Sequence, residues 1–359
     1  MSLPEPGRIL IRATNWIGDA VMSLPAIRAV RQRYGQAHIA VLARPWVADL
    51  YARETAIDEI VPYGPRPGLR EVSGKWRLAR GLHDFDLALL LQNAFEAAAL
   101  AFAARIPRRI GYSRDGRGWL LTERVPVPRQ GEIPPHERYY YLELLRRAGI
   151  LATLPEIAEI RLEGRTAAGM EGTRRFRELG ITEPVIGVSP GAAFGSAKRW
   201  LPERFAAAAE RLAARHGAAV ALFGSAAERG VCAAIAAEIH AGRAINLAGQ
   251  TSLREFIDCA AACRLFLTND SGAMHIVAAL GVPSVTVFGS TNPAATGPVG
   301  ECAVIVREPV DCSPCLLREC PIDHRCMTRV TVERVTETAL ELWKQTQPIG
   351  YENKNTAAR

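Results

Sequence analysis

Short unbroken apolar runs alternate with helical periodicity along almost the whole chain, and the alternation occurs twice. In the first half the runs are Ile9-Leu10-Ile11, His38–Leu42, Glu59-Ile60-Val61 and Leu87–Leu91. Between and after them lie helical patterns: one through Leu24, Ile27, Val30 and Arg31 ending before Gly35, then Trp46–Arg53, Lys75–Leu82, Ala94–Ala104 and Arg138–Ala148. The second half repeats this with strands at Val185–Ser189, Ala219–Phe223, Leu265–Thr268 and Ser284–Phe288, and helices at Pro202–His216, Ala226–His240, Leu253–Cys263 and Ala273–Leu280. A strand without polar alternation is buried on both faces, which only a parallel sheet covered by helices provides. The chain is therefore expected to be α/β, with two Rossmann-like domains facing across a cleft. Its 359 residues suit two such domains and exclude one small module. The expected division is 1–165, a linker of weak periodicity at 166–182, a second domain at 183–347 and a polar tail at 348–359. The Pro-, Gly- and Arg-rich stretch 106–135 reads as irregular surface loops.

Charge separates the halves. Residues 1–180 hold 27 Lys and Arg against 20 Asp and Glu, whereas residues 181–359 hold 17 of each, so the first half carries the whole excess of +7. That asymmetry points to an anionic partner of the first domain: a phosphorylated substrate, a membrane surface or nucleic acid. Only four basic residues are lysines (Lys75, Lys198, Lys344, Lys354), so a lysine within a motif carries weight. No apolar run is long enough to cross a bilayer and the first residues lack signal-peptide order, so the chain reads as cytoplasmic. Its eight cysteines then read as thiols.

Open parallel sheets bind ligands beyond the carboxyl ends of their strands, so the chemistry belongs in the turns after the runs. Asp19, beside Gly18 in the first such turn, is either a carboxylate pointing into a cleft or a helix N-cap. In the second half Ser189-Pro190-Gly191-Ala192 leads to Lys198-Arg199-Trp200. There glycine admits a ligand to the backbone and a lysine ammonium suits phosphate, although a solvated basic loop has the same composition. The strongest local signal is Thr268-Asn269-Asp270-Ser271-Gly272-Ala273-Met274-His275. A strand ends, a glycine turn follows, and a helix begins whose first amides attract phosphate. In the plainer reading Asp270 caps that helix and His275 is a satisfied polar residue. Asp84-Phe85-Asp86 resembles a metal-binding Asp-x-Asp, but it precedes a strand and so belongs to the wrong end of the sheet. Cys312-x2-Cys315-x4-Cys320-x5-Cys326, with His324 nearby, offers four thiols for a structural zinc or an iron–sulfur cluster, although the second pair lacks the tight spacing of zinc knuckles.

Arg12 through Ala26, Pro190-Gly191-Ala192 through Trp200, and Asn269 through His275 together resemble the ADP-heptose:lipopolysaccharide heptosyltransferases. The cysteine segment is similar to that of the second enzyme of that family, and the resemblance runs from about Ile9 to about Trp343. It implies a GT-B glycosyltransferase that moves L-glycero-D-manno-heptose, with inversion, from ADP-heptose to the first heptose of the Kdo-lipid A inner core. Asp19 would be the base and Lys198 would meet the donor phosphates. Gly191, Ser196, Asp270, Ser271, Gly272 and His275 would line the donor site, with Glu228 at the ribose and Thr251 near the adenine. Asn15, Trp16, Arg105, Arg108, Arg109 and Arg114, together with Arg117, would hold the acceptor's phosphates and Kdo carboxylates at the inner face of the membrane. No metal is then required for catalysis, and zinc at Cys312, Cys315, Cys320 and Cys326 would be structural. One departure concerns the Ala192–Ser196 loop, where only Ser196 offers a hydroxyl, so donor contacts there would come from backbone amides. A sister enzyme with another acceptor, or a nucleotide-sugar epimerase, is the nearest alternative. A nucleic-acid module would leave both donor-type loops unexplained and has no interleaved aromatic platform.

Overall fold

The computed structural model describes residues 5–64 and 69–346, in two separately packed units, Met1–Glu163 and Gly164–Arg359. The first unit runs β1 (Arg8–Arg12), α1 (Ile17–Arg33), β2 (His38–Ala43), α2 (Pro45–Ala48), β3 (Glu59–Pro62), α3 (Leu69–Gly81), β4 (Leu87–Leu90), α4 (Phe95–Ala103), β5 (Arg108–Tyr112), β6 (Glu123–Val125) and α5 (Glu137–Arg147). Its six strands are all parallel, in the order β3-β2-β1-β4-β5-β6. The β1 side chains after Arg8, and all those of β4, are buried because helices cover both faces, which is why these strands read as unbroken apolar runs.

The second unit begins with α6 (Arg165–Glu178) and β7 (Val185–Ser189), and continues α7 (Pro202–His216), β8 (Ala219–Leu222), α8 (Arg229–Ala237), β9 (Ala244–Asn246) and α9 (Leu253–Ala262). It then runs β10 (Leu265–Asn269), α10 (Gly272–Ala279), β11 (Ser284–Val287), α11 (Pro293–Thr296), β12 (Ala303–Val306), α12 (Arg325–Thr328) and α13 (Val332–Gln345). Its parallel order, β12-β11-β10-β7-β8-β9, becomes 3-2-1-4-5-6 when the strands are counted within the unit, the same order as the first sheet. Each unit is thus a doubly wound sheet in which the winding reverses between its first and fourth strands, where such folds bind ligands. In the first unit that point lies between β1 and β4, and in the second between β7 and β10.

Three expectations change. The stretch 106–135 is not all loop: β5 and β6 complete the first sheet, with Arg108 of β5 paired to Glu123 of β6 at 2.9 Å. β6 is the edge strand and β5 beside it opens with two arginines that are only half-buried, so no apolar run marked them. Residues 166–182 are not a linker, because α6 belongs to the second unit and packs along α9. Its buried residues, Ala168, Gly172 and Phe176, are mostly small and recur every four positions, a faint apolar stripe. The helix expected over Ala226–His240 divides into a 3-10 turn at Ala226–Glu228 and α8. The tail at 348–359 lies outside the described residues. Asp86 does mark a strand entrance, its carboxylate accepting from the Gly7 and Arg8 amides at 2.8 Å each.

The α6–α9 contact yields a stability prediction. A Cβ on Gly172 would lie 2.0 Å from the Asp258 carbonyl oxygen and 2.9 Å from the Ala262 Cβ. Gly172→Ala must push the helices apart, and a destabilisation of about 3 kcal/mol is expected from such overpacking, measured by urea unfolding.

Candidate active site

In the first unit the turn after β1 is built on Arg12, which is buried at the strand's end. Its guanidinium donates to the Asn15 Oδ1 at 2.8 Å and to the Tyr63 hydroxyl at 2.9 Å. The Asn15 amide donates to the Gln92 side chain at 3.1 Å and its carbonyl accepts from the Trp46 indole at 3.0 Å, so turns after β1, β2 and β4 are tied together. Trp16 occupies the N-cap of α1 and is 54% exposed, leaving its indole available to a ligand. Asp19 is the third helical residue, so it is not the cap, and it lies half-buried at the carboxyl end of the sheet. Burial, together with the charge of Asp19, holds the Glu137 carboxyl above the ordinary carboxylate range. Glu137 opens α5, which packs against α1. Two carboxyl groups therefore share this end of the unit, and sequence reasoning identified only Asp19.

The arginines divide by strand end. Arg114 follows β5 at the carboxyl end, exposed and paired with Asp115 at 3.1 Å. Arg105, Arg108 and Arg109 lie at the amino end of β5, away from the turns that gather around Asp19. Arg108 is already paired to Glu123, and Arg109 donates to the Leu120 and Ile106 carbonyls at 2.8 and 2.5 Å. Arg117, also expected to meet anions, is fully buried. It donates to the Tyr112 carbonyl at 2.9 Å, to the Asn93 Oδ1 at 3.0 Å and to the Gln92 carbonyl. Burial brings its pKa down to about 10, which leaves it protonated at neutral pH. Arg117 therefore holds the β4 turn that in turn holds Asn15. Arg117→Met strands three acceptors in the interior, and a loss of roughly 3 kcal/mol is expected in urea unfolding of the whole chain.

In the second unit the turns after β7, β8, β9 and β10 converge. Asn269, at the end of β10 and fully buried, donates to the Pro190 carbonyl at 2.7 Å and accepts from the Trp200 amide at 2.9 Å. One side chain thus fastens both ends of the loop that carries Lys198. The Lys198 ammonium lies 2.6 Å from Asp270 Oδ2, with the two side chains 13% and 3% exposed, and Thr291 donates to the same oxygen. Asp270 accordingly orients a lysine and does not cap α10. Ser271 is the N-cap residue but makes no side-chain capping bond, so the first amides of α10 are not claimed by it. A lysine and a helix N-terminus side by side constitute an anion seat. His275 is buried within the first turn of α10.

Glu228 closes the other side of the unit. Its Oε2 accepts from the Ser225 amide at 2.7 Å, and a Cβ on Gly191 would lie 1.8 Å from its Oε1, so only glycine fits there. The Gly249 amide donates to the Gly224 carbonyl at 2.9 Å, bringing half-buried Thr251 beside the same turn. Ser196 is exposed at the start of the 3-10 turn leading to Lys198.

The cysteine segment supports that turn. The Ala197 amide donates to the Arg318 carbonyl at 2.9 Å, and the His324 Nε2 lies 3.1 Å from the Ala197 carbonyl. Cys312 and Cys315 are exposed, Cys320 is half-buried and Cys326 is buried, all four as free thiols. Burial, then the neighbouring Cys312, Cys320 and Cys315, pushes the Cys326 thiol up to about 11. Among the described residues no three His, Cys, Asp or Glu side chains are placed to hold a metal ion.

Each unit is a doubly wound sheet, and the second sets a lysine beside a helix N-terminus at its winding reversal, an arrangement suited to a phosphorylated ligand. The sequence profile described as Glycosyltransferase family 9 (heptosyltransferase) matches residues 75–325. Lipopolysaccharide heptosyltransferase 2 of Escherichia coli is 33% identical over 309 residues, covering 84% of this chain and 88% of the relative. Its counterpart from Salmonella typhimurium is 32% identical over the same shares. The solved structure of E. coli ADP-heptose lps heptosyltransferase II superposes with a TM-score of 0.80 at 31% identity, covering 94% of this chain and 99% of that one. The chain belongs to glycosyltransferase family 9, the heptosyltransferases.

Proposed function

We propose that the protein transfers L-glycero-D-manno-heptose from ADP-heptose to the first heptose of the Kdo-lipid A inner core, inverting the anomeric carbon. The observation that carries this reading is the Lys198–Asp270 pair set beside the uncapped start of α10. A diphosphate placed there meets an ammonium and backbone amides, which supply the charge that leaving ADP requires. Glu228 and Thr251, on the adjoining turns, take the ribose and the adenine. The acceptor belongs to the first unit, where Asn15, Trp16 and Arg114 stand near Asp19.

In the reaction Asp19 removes the proton from the acceptor hydroxyl, and that oxygen attacks the anomeric carbon. The bond from that carbon to the β-phosphate oxygen breaks, and ADP leaves with the electron pair. Lys198 and the α10 amides stabilise the charge gained by the departing phosphate. The work is peripheral to the inner face of the membrane, with a lipid-linked acceptor, and catalysis needs no metal. Transfer followed by mass spectrometry in excess chelator, with the product's anomeric configuration read by NMR, tests the chemistry. Undiminished transfer and an inverted linkage are expected, whereas a retained configuration or activity lost to chelator contradicts it.

A second reading, a sister enzyme using another acceptor, shares every donor feature. The identity to relatives named heptosyltransferase 2 favours the second-heptose assignment.

A further inference from the structure

One face of the first unit is unusually aromatic. Trp76 on α3, Phe95 and Phe102 on α4, and Trp119 in the turn after β5 are 59%, 47%, 49% and 62% exposed. Three of these rings form one cluster, with Trp119 centroids 6.3 Å from Phe95 and 6.1 Å from Phe102. α3 and α4 pack against each other and bury Ala79, Ala98, Leu100 and Ala101 in one core, so their outward sides lie on the same side of the sheet. None of the residues already assigned to donor or acceptor chemistry uses these rings. A soluble surface rarely groups large aromatics in this way without a partner.

Cations flank the rings. Arg77, Arg80 and Arg105 are exposed, and Arg109 sits with its guanidinium 5.4 Å from the Phe102 centroid. Arg109 donates to the Leu120 and Ile106 carbonyls, and among the described residues it has no carboxylate partner. This gives the amino-end arginines a place that the acceptor reading could not. Trp and Phe favour the bilayer interface, and arginines beside them favour anionic headgroups. A second copy of this chain would instead set arginine against arginine.

We infer that the outward side of α3 and α4, with Trp119, docks on an anionic phospholipid bilayer. The inference rests on the lipid-linked acceptor proposed above for its purpose, and on the aromatic and basic residues for its physics. The full chain is sedimented with vesicles of phosphatidylethanolamine and phosphatidylglycerol, and separately with vesicles of phosphatidylcholine alone. Partitioning onto the anionic vesicles is expected to exceed that onto phosphatidylcholine by about ten-fold and to fall as salt is raised. Trp76→Ser combined with Trp119→Ser is expected to lower it about ten-fold, and Arg77→Glu with Arg80→Glu to remove the anionic preference. Each variant should keep wild-type ADP affinity by calorimetry, which shows that it folds, and wild-type turnover on a deacylated acceptor in vesicle-free buffer. Equal partitioning of the wild type onto both vesicles, or undiminished binding by the tryptophan variant, overturns the docking face. So does a dimer in sedimentation velocity that the tryptophan variant abolishes, because a second copy would then cover the face. Vesicle binding with no transfer to the deacylated acceptor instead contradicts the enzymatic reading and leaves the docking face standing.

Discussion

Asp19→Asn is expected to lower turnover by about 10²- to 10⁴-fold, the usual contribution of a positioned general base. The substitution keeps the shape and a polar side chain at the third position of α1, so the helix loses only its charge there, about 0.3–1 kcal/mol of dipole interaction. The proposed ADP site lies wholly in the second unit, so ADP affinity should not change. The separation is informative because a general fold defect would weaken both. Glu137 provides an internal control. Its carboxyl is held high first by burial and second by Asp19, so removing the Asp19 charge should let it ionise at lower pH. A pH titration followed by NMR would register that downward shift even in an inactive enzyme. Near-wild-type turnover in Asp19→Asn would remove Asp19 from the chemistry.

Lys198→Met is the second large effect. Loss of the ammonium should cost about 10²- to 10³-fold in turnover, as for other groups that stabilise developing charge. It should also weaken ADP binding in calorimetry. The substitution leaves Asp270, only 3% exposed, without its cation, and breaking such a pair costs on the order of 3–5 kcal/mol of stability. Asp270→Asn added to Lys198→Met removes the stranded charge and should restore much of that stability without restoring turnover. Urea unfolding and steady-state kinetics on the two variants therefore separate the structural from the catalytic part of Lys198. Recovery of activity together with stability would make the lysine merely structural.

What the sequence disclosed follows from which interactions are local. The central strands were legible because burial on both faces demands unbroken apolar runs, and β7 and β10 end where the runs end. Their turns were legible too, since Gly191 and Lys198 follow β7 and Gly272 opens α10 directly after β10, each a short local pattern, although only the fold brings Lys198 to the start of α10. The outer strands were not: β5 opens with Arg108 and Arg109, and the edge strand β6 has only Val125 fully buried. The positioning residues were hidden by distance along the chain. Asn269 meets Trp200, and Thr291 meets Asp270, through turns that only the folded sheet brings together. Arginine surplus in the first half was visible, but charge counting does not tell the two ends of β5 apart. Arg105, Arg108 and Arg109 consequently looked like acceptor ligands, and Arg117 looked like a surface cation although it is an interior tie.

The most direct measurement is transfer from ADP-heptose to two defined acceptors, Kdo-lipid A without heptose and the same lipid bearing one heptose, with products weighed by mass spectrometry. Addition of one heptose to the second acceptor and none to the first is the predicted result. Transfer to the heptose-free acceptor, or release of an isomerised sugar nucleotide with no transfer to either, would contradict the proposed reaction.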